Sequence, residues 1–310
     1  MYLKLVLVTC VIAFIAVVFS AYARLSDAGL GCANWPACYA ENALKQRQTP
    51  NPDATRRSHA SWQWKLQNQV GLLLGILSVL ICGISWQKRR ELQQSPLPPT
   101  LLVGLMVFLG VFGVLAFSYL PRPIIVLIHL AGGIATLILL VWIALLRMSK
   151  PDVAKVSWAL LLFSKIGLVL VLIEIMLGGW VSSNFAALAC TEFPLCQGSL
   201  IPTMDFSYSL ENDGLPLSRE RLTGMHWVHR VGAVFTIIYL CWLSFRVMAV
   251  QTLRNIGKSI LGLIVLQFVF GISNVLLNLP LAIAVLHNAV AMLLLISLVM
   301  LRFRMQAMKQ

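Results

Sequence analysis

The sequence predicts an all-α integral membrane protein whose eight transmembrane helices form two four-helix bundles related by a pseudo-two-fold axis along the membrane normal. Three observations carry this expectation: the composition, the spacing of apolar runs, and an internal repeat. Across 310 residues, 59% are apolar and only 11% charged, and the mean hydropathy is +0.85, which excludes a water-soluble globule. The formal charge of +13 would suit nucleic acid if the basic residues formed one face. They fall between apolar runs instead, so the partner is membrane lipid and no nucleic acid is expected.

The helices follow in order. Runs of roughly 20 apolar residues, enough to cross about 30 Å of hydrocarbon at 1.5 Å per residue, begin near Leu3, Gln69, Leu101, Ile124, Leu161, Met225, Ile260 and Leu281. The first run, followed by Ala21-Tyr22-Ala23, also has the look of a cleavable signal peptide. The repeat described below pairs it with helix five, which keeps it as a permanent span. With the N-terminus inside, the inner segments hold 13 Lys+Arg in 49 residues and the outer ones 9 in 89, so both termini are expected in the cytoplasm of a bacterial-type inner membrane. Two long periplasmic loops then follow, 24–65 and 182–222, and the other outer connections are short turns at Pro121-Arg122-Pro123 and Pro280. Long loops of this kind carry function more often than they act as spacers.

The repeat has an offset of 158 residues. Cys32-Ala33-Asn34-Trp35-Pro36-Ala37-Cys38 matches Cys190-Thr191-Glu192-Phe193-Pro194-Leu195-Cys196, Phe112-Gly113 matches Phe270-Gly271, and His129 matches His287. Four helices per repeat is an even number, so both halves face the same way. The expected units are 1–150 and 151–310, each a four-helix bundle with one long outer loop.

Of seven cysteines, four form the two Cys-x5-Cys pairs of the outer loops, while Cys10, Cys82 and Cys241 stand singly in apolar helices. An oxidising compartment allows Cys32–Cys38 and Cys190–Cys196 to close as disulfides. A thiol metal site is the competing reading, but it lacks a nearby His to complete it.

Four of the five histidines, His129, His226, His229 and His287, fall in the outer halves of apolar helices. Measured from Pro123 and Pro280, His129 and His287 sit roughly 9–11 Å deep. A lone His bonded to a neighbouring carbonyl explains any one of them, but matched depth and repeat position favour a functional set. Two imidazoles on facing helices can fill both axial positions of a haem iron. His229 on helix six and His287 on helix eight are the best pair, and each needs its other ring nitrogen tethered. His226, one turn before His229, could replace it as ligand or contact a propionate. Arg230 is a candidate propionate partner, with snorkelling or loop pairing as the alternatives.

The string Arg24-Leu25-Ser26-Asp27-Ala28-Gly29-Leu30-Gly31-Cys32-Ala33-Asn34-Trp35-Pro36-Ala37-Cys38-Tyr39 resembles the first-loop signature of the haem A synthase family. Ala189-Cys190-Thr191-Glu192-Phe193-Pro194-Leu195-Cys196 and His229-Arg230 resemble its second half. The resemblance spans the whole chain. It implies an eight-helix membrane oxidoreductase that converts the C8 methyl of haem O to the formyl of haem A by successive hydroxylations, for terminal oxidase assembly. It also implies a b-type haem (iron) held by His229 and His287, and haem O as substrate between a helix-two His and His129. Candidate partners are a haem O synthase or oxidase assembly factors; the electron donor is not implied.

The first half departs from that pattern. Where the family resembles Trp-x-Glu-x-x-His-Arg, this chain reads Trp62-Gln63-Trp64-Lys65-Leu66-Gln67-Asn68. Matching Trp62 puts Gln67 at the His position and Trp64 at the Glu; matching Val70-Gly71 to Val231-Gly232 puts Asn68 opposite His229. Neither recovers a histidine, and His59 lies in a loop segment beside Arg56 and Arg57. No catalytic residue is therefore assigned. Glu174, inside helix five, is about 13 Å along the helix from Lys165, which argues against direct pairing; a polar contact to another helix is favoured slightly over a proton-handling role. Gly132-Gly133 and Gly178-Gly179 suit either close helix packing or approach of a porphyrin. The alternatives to haem A synthesis are a non-catalytic haem-binding assembly paralogue, a membrane electron-transfer cytochrome b, and a transporter; the last is weakest because no helix shows a Gly/Pro break at mid-depth.

Overall fold

The computed structural model describes residues 1–27, 62–116, 122–148, 154–207 and 217–307. It contains eight principal helices: α1 (Tyr2–Asp27), α2 (Trp62–Gln87), α3 (Leu97–Ala116), α4 (Arg122–Arg147), α5 (Trp158–Ser183), α6 (Arg219–Met248), α7 (Arg254–Leu276) and α8 (Leu281–Arg304). Seven are long and apolar enough to cross a membrane, and α3 adds a shorter apolar helix. The chain is a multi-pass, all-helical membrane protein. Several helices begin some residues earlier than the apolar runs, because polar residues at their ends remain helical. Gln67 and Asn68, for instance, lie in the second turn of α2, and α6 starts at Arg219 rather than near Met225. Ser157 and Ser218 set two of these starts by accepting hydrogen bonds from the backbone N–H groups of Leu160 and Arg221.

Helices α1–α4 pack in a ring in which α1 touches α2 and α4, and α3 bridges α2 and α4; α5–α8 repeat the arrangement, and α1 and α4 meet α5 and α8 between the rings. Outward faces are apolar: Leu72, Val107, Phe235 and Ile238 are all exposed, as lipid contact requires. Several buried hydroxyls return to their own helices, as apolar surroundings favour: Thr9 donates to Leu5 O, Ser78 to Leu74 O and Thr136 to Gly132 O, at 2.7–2.8 Å. Fully buried Val6, Leu140, Leu243 and Leu295 belong to one apolar core. It is densest toward the end of the bundle shared by the start of α1 and the ends of α4 and α8.

Two three-residue strands, β1 (Ala154–Val156) and β2 (Met305–Ala307), pair in parallel at that same end. The sequence pattern did not indicate them. At the opposite end the α7–α8 turn passes through Asn278 and Leu279 at positive φ before Pro280. The other end also carries the α5–α6 loop, closed by the disulfide Cys190–Cys196, with Cα atoms 4.8 Å apart. Cys32, Cys38 and His59 lie outside the described residues. Cys10, Cys82 and Cys241 are free thiols.

Candidate intramembrane imidazole site

His229 and His287 line one cavity of about 220 Å³, enclosed mainly by apolar side chains of α5–α8 and by Phe193 of the disulfide loop. Each ring lies against a glycine on a neighbouring helix. A Cβ added at Gly178 of α5 would stand 3.2 Å from His229 Cε1, and one at Gly271 of α7 would stand 3.3 Å from His287 Cε1. These positions therefore need glycine for space rather than for backbone freedom. The first half repeats the device. A Cβ at Gly113 would lie 3.2 Å from His129 Nε2, and Gly113 and His129 are each 158 residues before Gly271 and His287.

The second nitrogens of the rings are held in different ways. His229 Nδ1 is 2.6 Å from Glu174 Oε1. The contact is at ion-pair distance rather than a regular hydrogen bond, and neither atom has a hydrogen-bond partner among the described residues. His287 Nε2 is 3.1 Å from the side-chain amide nitrogen of Gln267, and its buried Nδ1 has no hydrogen-bond partner among the described residues. His129 Nδ1 lies 2.9 Å from Ile125 O, one turn back in its own helix, which leaves Nε2 facing Gly113. Phe112 flanks that ring at 5.6 Å.

His226 is buried, and its Nε2 accepts a hydrogen bond of 3.2 Å from Arg230 Nε. Arg230 otherwise serves the disulfide loop: Nη1 donates to Glu192 O and Leu195 O at 2.9 and 3.1 Å, and Nη2 to Cys190 O at 2.7 Å. Of the roles the sequence left open for Arg230, loop pairing is the one these contacts describe. Gln197 adds a link from the same loop, donating to Thr223 Oγ1 of α6 at 2.8 Å.

Two residues matter that their sequence positions alone did not link to the site, Glu174 and Gln267. The available signal was a carboxylate inside an apolar helix one turn before Gly178, but which helix it faced could not be read from spacing. In the first half, Gln67 donates to Ser20 Oγ at 3.3 Å. Ser20 lies 158 residues before Gly178, so Gln67 meets α1 at the position equivalent to the one where His229 meets α5.

No group of three or more His, Cys, Asp or Glu that could hold a metal ion occurs among the described residues. Two imidazoles in an apolar cavity are thus too few for a bare ion, but they match the needs of a group that brings its own equatorial ligands and takes two axial ones, as haem does. Two imidazoles on one apolar cavity, each given room by a glycine on the neighbouring helix, fit such a group.

Eight helices and a paired-imidazole cavity beneath a disulfide-closed loop define a multi-pass membrane protein with a buried site suited to a planar metal-bearing ligand. The chain belongs to the family described as cytochrome oxidase assembly protein, which residues 3–299 match. It is 32% identical to heme A synthase of Shewanella oneidensis, over 96% of this chain and 94% of that protein. It is also similar to heme A synthases of Flavobacterium psychrophilum (23% identical, over 92% of each chain) and Methylobacterium nodulans (26%, over 92% of this chain and 86% of the other).

Proposed function

We propose that this chain is a haem A synthase-type membrane oxidoreductase that takes haem O toward haem A for terminal oxidase assembly, with its catalysis impaired by the first half. The observation that carries the reading is His229 and His287 on one apolar cavity in a chain of this family. In the proposal both imidazoles hold a b-type haem, which when bound supplies one-electron chemistry to the oxidation. The chain's own residues do the rest. To hold the haem, His287 Nε2 would exchange its present neighbour, the Gln267 amide 3.1 Å away, for the iron. Arg230 fixes the disulfide loop, so that Phe193 covers the cavity and keeps water out. The long loops face the oxidising side of a bacterial-type inner membrane, with both termini cytoplasmic, and 1–150 and 151–310 act as the substrate and haem-holding halves.

Haem O as substrate falls to the first half, where His129 offers Nε2 but Gln67 offers only an amide, a poor ligand for haem iron. Burial of a porphyrin and its farnesyl tail still favours binding. The absent carboxylate near the start of α2 removes a candidate proton carrier, and such help is commonly worth about 10²–10⁴-fold in rate. The Gln67–Ser20 contact favours a second reading, a haem-handling assembly factor without turnover. Expression in a host that makes haem O but lacks its own synthase tests both. Bound haem b with little or no haem A is the expected result. Robust haem A accumulation would overturn the impairment, and a colourless protein would sink every haem reading.

A further inference from the structure

Among the described Asp and Glu residues, only Glu174 lies deep within an apolar helix, and burying a carboxylate there is costly unless it has a specific task. Its surroundings are arranged around one contact. Oε1 reaches His229 Nδ1 at 2.6 Å. Space for the other oxygen comes from Gly232 of α6, where a Cβ would stand 2.5 Å from Glu174 Oε2. One turn along α5, Gly178 clears space for the His229 ring itself. Two glycines on two helices thus accommodate the two members of a single pair. The first half has no equivalent pair, since the residue 158 before Glu174 is Ala16 and neither Gln67 nor Asn68, the two residues aligned with His229, is a histidine.

We propose that Glu174 is a positioning residue that takes the Nδ1–H of His229, so that Nε2 is deprotonated and directed into the cavity as an axial ligand of increased basicity. This rests on the haem reading above and adds what it lacked, the acceptor that fixes the tautomer and orientation of one ligand. A carboxylate partner makes an imidazole a stronger donor, which favours the oxidised iron and lowers the potential relative to a neutral partner. His287 Nδ1 has no carboxylate partner of this kind among the described residues, so the two axial bonds are unequal by construction.

The test uses the full-length chain purified with haem bound, comparing wild type with Glu174→Gln. The glutamine keeps the shape and an acceptor oxygen but removes the charge. The expected result is a midpoint potential shifted upward, an altered low-spin EPR signature, and haem lost at least about 10-fold faster, the scale on which such outer partners act. A wild-type-like potential and EPR spectrum in Glu174→Gln would overturn the proposal. If that variant retains too little haem to measure, Gly232→Ala decides, because its methyl displaces the carboxylate without touching the ligand: a shifted spectrum supports the pairing and an unshifted one overturns it. A wild-type chain whose haem ignores His229→Ala refutes the underlying haem reading as well, which distinguishes the two failures.

Discussion

An imidazole within an apolar bundle is tolerated when its ring nitrogens have partners or a ligand to bind. His129 has a carbonyl of its own helix, His226 has Arg230, and His229 has Glu174. His287 Nε2 has the Gln267 amide, while its Nδ1, like that of His226, has no hydrogen-bond partner among the described residues. Replacing His229 or His287 by Ala should therefore abolish the bis-imidazole spectrum while the chain stays folded, because the dense apolar core lies toward the other end of the bundle. Retention of that spectrum in both variants would count against the pair. The histidines were legible in the sequence from their depth and repeat spacing. Their partners were not, since Glu174 and His229 are separated by 55 residues and meet only through the packing of α5 on α6.

At the scale of elements, the α5–α6 loop is held over the cavity by the Cys190–Cys196 bond, by Arg230 and by the start of α6. Arg230 caps three carbonyls of the disulfide segment. Arg230→Ala should loosen that segment, at a cost on the order of 2 kcal/mol if one charge-assisted bond is left uncompensated. Faster hydrogen exchange at 190–196, with the disulfide intact by mass mapping, is the expected readout. Next along the loop, Asp205 accepts from Arg221 Nε at 2.9 Å and from the Ser207 backbone N–H at 2.8 Å. Bonds from Ser207 foremost, then Arg221, hold its carboxyl down at about 2, below the ordinary value of 3.8. Because the folded form has the lower value, this anchor is fully present above about 4 and is lost as pH falls toward about 2. Protease cleavage near 205–207 should rise across that window in wild type and be raised at all pH values in Asp205→Asn. The existence of this loop was readable from the gap between apolar runs. Its internal anchors were not, because they join residues of ordinary loop composition to a helix start that the hydropathy placed six residues too late.

For the whole molecule, the 158-residue repeat is the most legible feature, and its imperfections are what distinguish the two halves. His129 on Gly113 and His287 on Gly271 are the same contact made twice, while Gln67 and Ser20 stand where His229 and Gly178 stand in the other half. Gln67→His combined with Ser20→Gly should therefore raise haem A formed per haem b in the host lacking its own synthase. An unchanged ratio would place the deficiency elsewhere in the first half. The repeat also predicted the two rings of helices, but it was silent about β1 and β2, which have no counterpart in such a pattern. That small pairing bears on biogenesis. Met305–Ala307 leave the ribosome only after all eight helices have been synthesised, yet their partner Ala154–Val156 sits at the junction between the rings. The first ring can therefore be threaded into the bilayer and packed while its exit segment is still untethered, and the latch closes last. Assembly of the two halves thus has a built-in order, from the N-terminal ring to the C-terminal clasp.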